Sequence, residues 1–184
     1  MMNLYWPKPR YRLLLLYVRN AGLKAGYYPG KEQKSMDSLE ATIQPLEPYD
    51  MEEVMTIWLE TNISAHAFIA ADYWRGNYNL VKEQYMPMSA TFVYKQQEEI
   101  KAFISILNDS FIGALFVSQE HQGQGIGRQL LDYCQTRYPS LELDVYAENK
   151  SAVDFYKRCG FVIKGEQRNE SSGQLEYVMA WTAK

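Results

Sequence analysis

Ligands for a soft metal are scarce in this chain: its 184 residues include two cysteines and two histidines. Cys134 and Cys159 lie in apolar, helix-like stretches without metal-ligand spacing, and no carboxylate cluster accompanies His66 or His121. No metal centre is expected on this pattern; two buried thiols in a reducing cytoplasm are. Long apolar runs are missing too. Leu13 to Val18 is a run of six residues ended by Arg19. A bilayer span needs about 20 apolar residues, and a secretory signal needs about 7–15 followed by a small-residue cleavage site. With a net charge of −3 and no basic stripe interleaved with aromatics, neither a membrane nor a nucleic acid is expected as a partner.

The charge is unevenly spread. Residues 1–35 hold seven of the 19 basic residues and one of the 22 acids, a net +6, which leaves −9 for the remainder. Residues 1–38 are therefore expected to be a basic leader, appended or disordered, with a start at Met36 or a docked extra strand as the alternatives. Residues 39–184 suffice for one domain with its own core, as a monomer or a homodimer.

Within that domain the elements follow in order. Residues 41–46 read as an edge strand, because Pro45 is poorly tolerated in a central one. Asp50 can cap a helix to about Thr61, with Glu52 and Glu53 in its first turn. A second helical region, about Ala67 to Tyr85, is stopped by Pro87. Thr91–Tyr94, Ile100–Leu107 and Phe111–Val117 read as a meander. A helix to Tyr138 follows, then a strand over Leu141–Tyr146. A short helix capped by Asn149 or Ser151 comes next, with Gly160 at its C-terminal turn, and then a final hairpin, Phe161–Arg168 and Gln174–Trp181. This is a mixed α/β domain.

What stands out is the glycine turn Gln122-Gly123-Gln124-Gly125-Ile126-Gly127-Arg128, between an apolar strand and a helix. Such a turn gathers free N–H groups and the positive end of a helix dipole, which suits a phosphate or pyrophosphate. A triphosphate loop needs Lys then Ser or Thr after its last glycine, but Arg128 and Gln129 stand there. A dinucleotide fingerprint needs glycine at its sixth position, which is Arg128. A purely structural turn remains open on the glycines alone.

The order Gln-x-x-Gly-x-Gly, with Leu130 beyond, resembles the acetyl-CoA motif of the GNAT superfamily of N-acetyltransferases. The later segment Asn149-x-x-Ala152-x-x-Phe155-Tyr156…Gly160-Phe161 is similar to that superfamily's second hallmark. The resemblance covers about residues 40–181. It extends to small bacterial single-domain members through Trp58-Leu59-Glu60, His66-Ala67-Phe68-Ile69 and Tyr73-Trp74. One departure is Gln119, where the family usually has proline; that position shapes the loop and does no chemistry.

The resemblance implies a mostly antiparallel sheet of six to seven strands, about four helices, and a splay between two central strands. It implies acetyl transfer from acetyl-CoA to a primary amine through a ternary complex. A lysine side chain or protein N-terminus is favoured over a small molecule, and a non-catalytic acyl-CoA-binding module is the rival. The cofactor set is Leu115, Phe116 and Val117 for the pantetheine, Gln122, Gly123, Gln124, Gly125, Ile126, Gly127 and Arg128 for the pyrophosphate, and Asn149. Tyr156 takes the general-acid role and Asp144 that of the base, with Glu142, Glu60 and His66 as other options. Glu60, His66, Tyr73 and Trp74 form the acceptor side, where Phe68, Tyr78 and Tyr85 could add to an aromatic wall or belong to the core.

Overall fold

The computed structural model describes residues 41–183, so the basic leader lies outside the described residues. Among the described residues seven strands form one sheet in the order β1-β2-β3-β4-β5-β7-β6. In chain order they are β1 (Thr42–Pro45), β2 (Ala90–Gln96), β3 (Glu99–Leu107), β4 (Phe111–Val117), β5 (Ser140–Tyr146), β6 (Val162–Arg168) and β7 (Leu175–Thr182). Four helices of the described residues have nine or more residues: α1 (Met51–Ala65), α2 (Ala71–Leu80), α4 (Ile126–Gln135) and α5 (Lys150–Arg158). Between α2 and β2 the chain widens into a π turn, Val81–Tyr85, and ends in the single turn α3 (Met86–Met88), which contains Pro87. The expected second helix is thus shorter and interrupted.

Two cores hold the layers together, one on each sheet face. The first joins Ile104, Leu143, Val145 and Met179 of the sheet to Leu130, Leu131 and Cys134 of α4 and Val153 and Tyr156 of α5. The second joins Val93, Phe103 and Tyr146 to Val54, Met55 and Trp58 of α1 and Trp74 of α2. Strand alternation explains this division: Ile104 and Phe103 on β3, like Val145 and Tyr146 on β5, point to opposite faces. β3 reads as an unbroken apolar run because both of its faces are covered.

Asp50 corrects the sequence expectation. Its side chain does not cap α1; Oδ1 instead accepts from Lys95 Nζ on β2 at 2.8 Å, both groups being buried. A lone buried charge is costly, so a cation in reach outcompetes a helix N–H. Glu53, in the first turn, accepts from the Ile100 N–H at 2.7 Å and ties α1 to the start of β3.

Among the described residues β4 and β5 are the one parallel pair. They touch in register only at Phe111↔Glu142, with the Glu142 N–H donating to the Ser110 carbonyl at 2.8 Å. Beyond that point they part, and a splay opens towards Val117 and Tyr146.

Candidate active site

The glycine turn lies at the open end of β4. Gly123 and Gly125 have φ of +75° and +82°, a region that costs other L-residues about 1–2 kcal/mol. Gly125 is the residue before α4, where no side chain caps the helix. The first N–H of this stretch with a carbonyl partner is that of Gln129, bonded to Gly125 at 3.1 Å. Among the described residues, the N–H groups of Gly123 through Arg128 donate to no protein acceptor. They gather where the dipole of α4 is positive.

The two ends of the motif serve that geometry differently. The Gln122 N–H closes a turn onto the Gln119 carbonyl at 3.4 Å, and its side-chain Nε2 donates to the Val117 carbonyl at 3.0 Å, lashing the turn to β4. The Arg128 guanidinium donates to Asp132 at 2.7 Å and to the Arg158 carbonyl at 3.3 Å, so it faces the end of α5. Gly125→Ala is expected to lower stability by about 1 kcal/mol from the backbone alone, since an added Cβ meets nothing within 4 Å. Urea unfolding checks this; an unchanged midpoint contradicts it.

Backbone direction in the splay follows from register. Ser118 N–H donates to the Lys101 carbonyl of β3 at 2.9 Å. Only alternate residues of an antiparallel strand bond to a given neighbour. With Val117 opposite Ala102 and Leu115 opposite Ile104, the N–H groups of Leu115 and Val117 therefore face the β5 side, where no strand pairs with them. Phe116 turns its own N–H to β3.

Asn149 caps α5, its Oδ1 accepting from the Ala152 N–H at 3.2 Å. That fixes its amide, so Nδ2 donates to His66 Nε2 at 3.3 Å. His66 Nδ1 in turn donates to the Asn62 carbonyl at 3.1 Å, because a carbonyl only accepts. Burial pushes the His66 pKa down to about 4. The ring is 4 % exposed and packs on Phe68, Trp74 and Tyr146. His66 is thus a neutral link between α1 and α5 within the core.

The other acceptor-side candidates separate. Trp74 is fully buried. Tyr73 is half-buried and its hydroxyl meets Ser171 Oγ at 2.8 Å. Glu60 is exposed on α1. Tyr156, 8 % exposed, stacks edge-on with Phe155 and Phe161. Its hydroxyl has no hydrogen-bond partner among the described residues, and burial, with the Cys159 thiol second, raises its pKa. Asp144 points to the opposite face of β5, where its Oδ2 accepts from Gln167 Nε2 at 3.0 Å.

Sequence reasoning missed the β6–β7 hairpin end. Glu176, directly opposite Tyr146 in register, is 3 % exposed. It accepts from Asn169 Nδ2 at 2.9 Å and Gln167 Nε2 at 3.4 Å. Burial first, then the Asp144 charge, push its pKa up to about 7. Asn169 also folds the turn, its Oδ1 accepting from the Ser171 and Ser172 N–H groups. Ser172 Oγ meets the Tyr146 hydroxyl at 3.0 Å. One signal was available: a glutamate inside the apolar run Leu175 to Trp181.

Among the described residues no group of three His, Cys, Asp or Glu side chains is placed to hold a metal ion, and no helix is long and apolar enough to cross a membrane.

Comparison with known proteins identifies the arrangement. Residues 63–182, more than half of the chain, match the model of the acetyltransferase (GNAT) domain. The chain is 32% identical over 132 residues to the peptidyl-lysine N-acetyltransferase YiaC of Escherichia coli, covering 72% of this chain and 90% of that protein. The solution structure of apo YjaB from Escherichia coli superposes with a TM-score of 0.69 at 23% identity, over 79% of this chain and all of that one. The PaiA N-acetyltransferase of Thermoplasma acidophilum, in complex with coenzyme A, gives 0.66 at 16% identity over 79% of this chain and all of its own. With its mixed sheet parted between β4 and β5, the glycine turn at the opening and the matching domain model, the chain belongs to the GNAT family of acetyltransferases.

Proposed function

We propose that this protein transfers an acetyl group from acetyl-CoA to a primary amine by direct attack in a ternary complex, with a protein lysine or N-terminal amine favoured over a small molecule. The observation that carries the donor assignment is the row of free N–H groups from Gly123 to Arg128 at the mouth of a parted sheet. They suit a pyrophosphate, while the outward backbone of Leu115 and Val117 suits the amides of a pantetheine arm laid along β4. The Val117 N–H then lies along the arm's path as a donor to the thioester carbonyl. Asn149, at the head of α5, lines the β5 side. The lysine preference draws support from the names of the relatives, peptidyl-lysine N-acetyltransferases.

Tyr156 is assigned as the acid that protonates the leaving thiolate. Its raised pKa keeps it protonated at neutral pH, and its hydroxyl is uncommitted. Asp144, the base expected from the resemblance, lies on the other face of β5, towards the acceptor, with its Oδ2 accepting from Gln167 Nε2. An acyl-enzyme on Cys134 does not fit, because burial pushes that thiol up to about 12 and the thiolate is the reactive form.

Acetyl-CoA at a hundredfold excess over its Kd is expected to stabilise the protein by about 2.7 kcal/mol, read as a raised melting temperature, with ATP and NAD giving no shift. No shift with acetyl-CoA would overturn the reading. A shift without CoA release on any amine would favour a non-catalytic acyl-CoA-binding module.

A further inference from the structure

The mechanism above leaves the buried carboxylate of Glu176 unused. We infer that Glu176 is the carboxylate that selects a protonated primary amine as acceptor and takes up the proton it loses. This rests on the amine-acetyltransferase reading.

Three observations support it. First, Glu176 is 3 % exposed, yet among the described residues no lysine or arginine pairs with it. Its partners are two neutral amides, Asn169 and Gln167. A dehydrated carboxylate without a cation is an unbalanced charge, and the contrast lies in the same protein, where buried Asp50 has Lys95. An alkylammonium arriving beside it would supply the missing charge.

Second, its position is on the acceptor side of the splay. It stands across from Tyr146, the last residue of β5, and shares a face with Asp144. Its charge reaches the hydroxyls of Tyr146 and of Tyr73 on α2. Among the described residues, the titratable groups whose charge couples to it are Asp144 and Tyr146 from β5 and Tyr73 from α2, while β6 and its turn hydrogen-bond to it through Gln167 and Asn169. None of these is a cation. Third, its proton affinity is raised into the neutral range, where a proton acceptor works best.

The step balances. The ammonium gives one proton to Glu176, leaving a neutral amine. The amine nitrogen bonds to the thioester carbon and the C–S bond breaks. The sulfur takes the Tyr156 proton, and the second proton from nitrogen restores Tyr156. Glu176 then releases its proton to solvent.

Glu176→Gln and Glu176→Asp test the assignment, with a terminally blocked peptide carrying one lysine as acceptor and CoA release as readout. Wild-type kcat/KM is expected to rise with pH through a break near 7. Glu176→Gln is expected to lose about 30-fold at pH 7, an effect somewhat below that of a fully positioned base. Its rise moves up towards the amine's own pKa of about 10, so the deficit shrinks as pH climbs. Glu176→Asp restores part of the rate and the break near neutrality. A purely structural role predicts a loss that is constant across pH. That constant loss, an unchanged Glu176→Gln, or a wild-type profile without a break between about pH 6 and 8 would overturn the inference. Should Glu176→Gln fail to fold, the wild-type and Glu176→Asp profiles decide. Wild-type enzyme that binds acetyl-CoA but acetylates no amine would instead overturn the function on which this rests.

Discussion

Tyr156→Phe is expected to lower kcat by about 100- to 1,000-fold, within the span that general acid catalysis contributes, while acetyl-CoA binds as before. The ring is what the fold uses: it packs on Phe155 and Phe161 within the core beneath α5. Phenylalanine keeps that ring, and the lost hydroxyl had no hydrogen bond to forfeit among the described residues. Stability should therefore hold within about 0.5 kcal/mol, and the whole effect should fall on the chemical step. Steady-state CoA release and acetyl-CoA calorimetry separate the two. Equal losses in donor affinity and kcat would mean that the hydroxyl shapes the donor site and is not the acid.

The second large effect concerns pH. His66 has a folded pKa of about 4 against an ordinary 6.5, because burial disfavours the imidazolium. Its contribution to stability is complete above 6.5 and is lost as pH falls towards 4, a total of about 3 kcal/mol at 1.36 kcal/mol per pKa unit. Glu176 has the opposite sign. Its folded pKa of about 7 lies above the ordinary 4.5, so it costs nothing at low pH and destabilises increasingly as pH rises from 4.5 to 7, again by about 3 kcal/mol. Between those limits the two slopes cancel in the wild type. Relative to wild type, His66→Gln is expected to lose stability as pH rises from 5 to 6.5, and Glu176→Gln to gain it, each by about 2 kcal/mol. Urea titrations at both pH values check this through slopes, which are insensitive to any constant packing cost. Slopes of the same sign in both variants would contradict it.

Much of this molecule was legible in the sequence, for local reasons. β4 is found where the alternation and flanking turns put it. Asn149 caps α5 as its residue type suggests, and Gly160, at φ +89°, occupies the left-handed position that ends that helix. The order of the two motifs pointed to the family. What escaped depends on contacts between residues far apart in the chain. Asp50 abandons its cap for Lys95, 45 residues on. His66 is locked by Asn149, 83 residues on. The π turn at Val81–Tyr85 contains no glycine or proline to mark it. A single charge in a strand ordinarily faces water, and only the sheet order, with β7 inserted between β5 and β6, buries Glu176.

The central claim is acetyl transfer from acetyl-CoA to an amine at the parted edge of β4 and β5. Mass spectrometry of lysine peptides, N-terminal peptides and polyamines incubated with the protein and isotopically labelled acetyl-CoA tests it most directly. Labelled acetyl on amine nitrogen, above all on lysine, produced by wild type and strongly reduced in Tyr156→Phe, is the predicted result. No labelled amine from a protein that acetyl-CoA stabilises would contradict it.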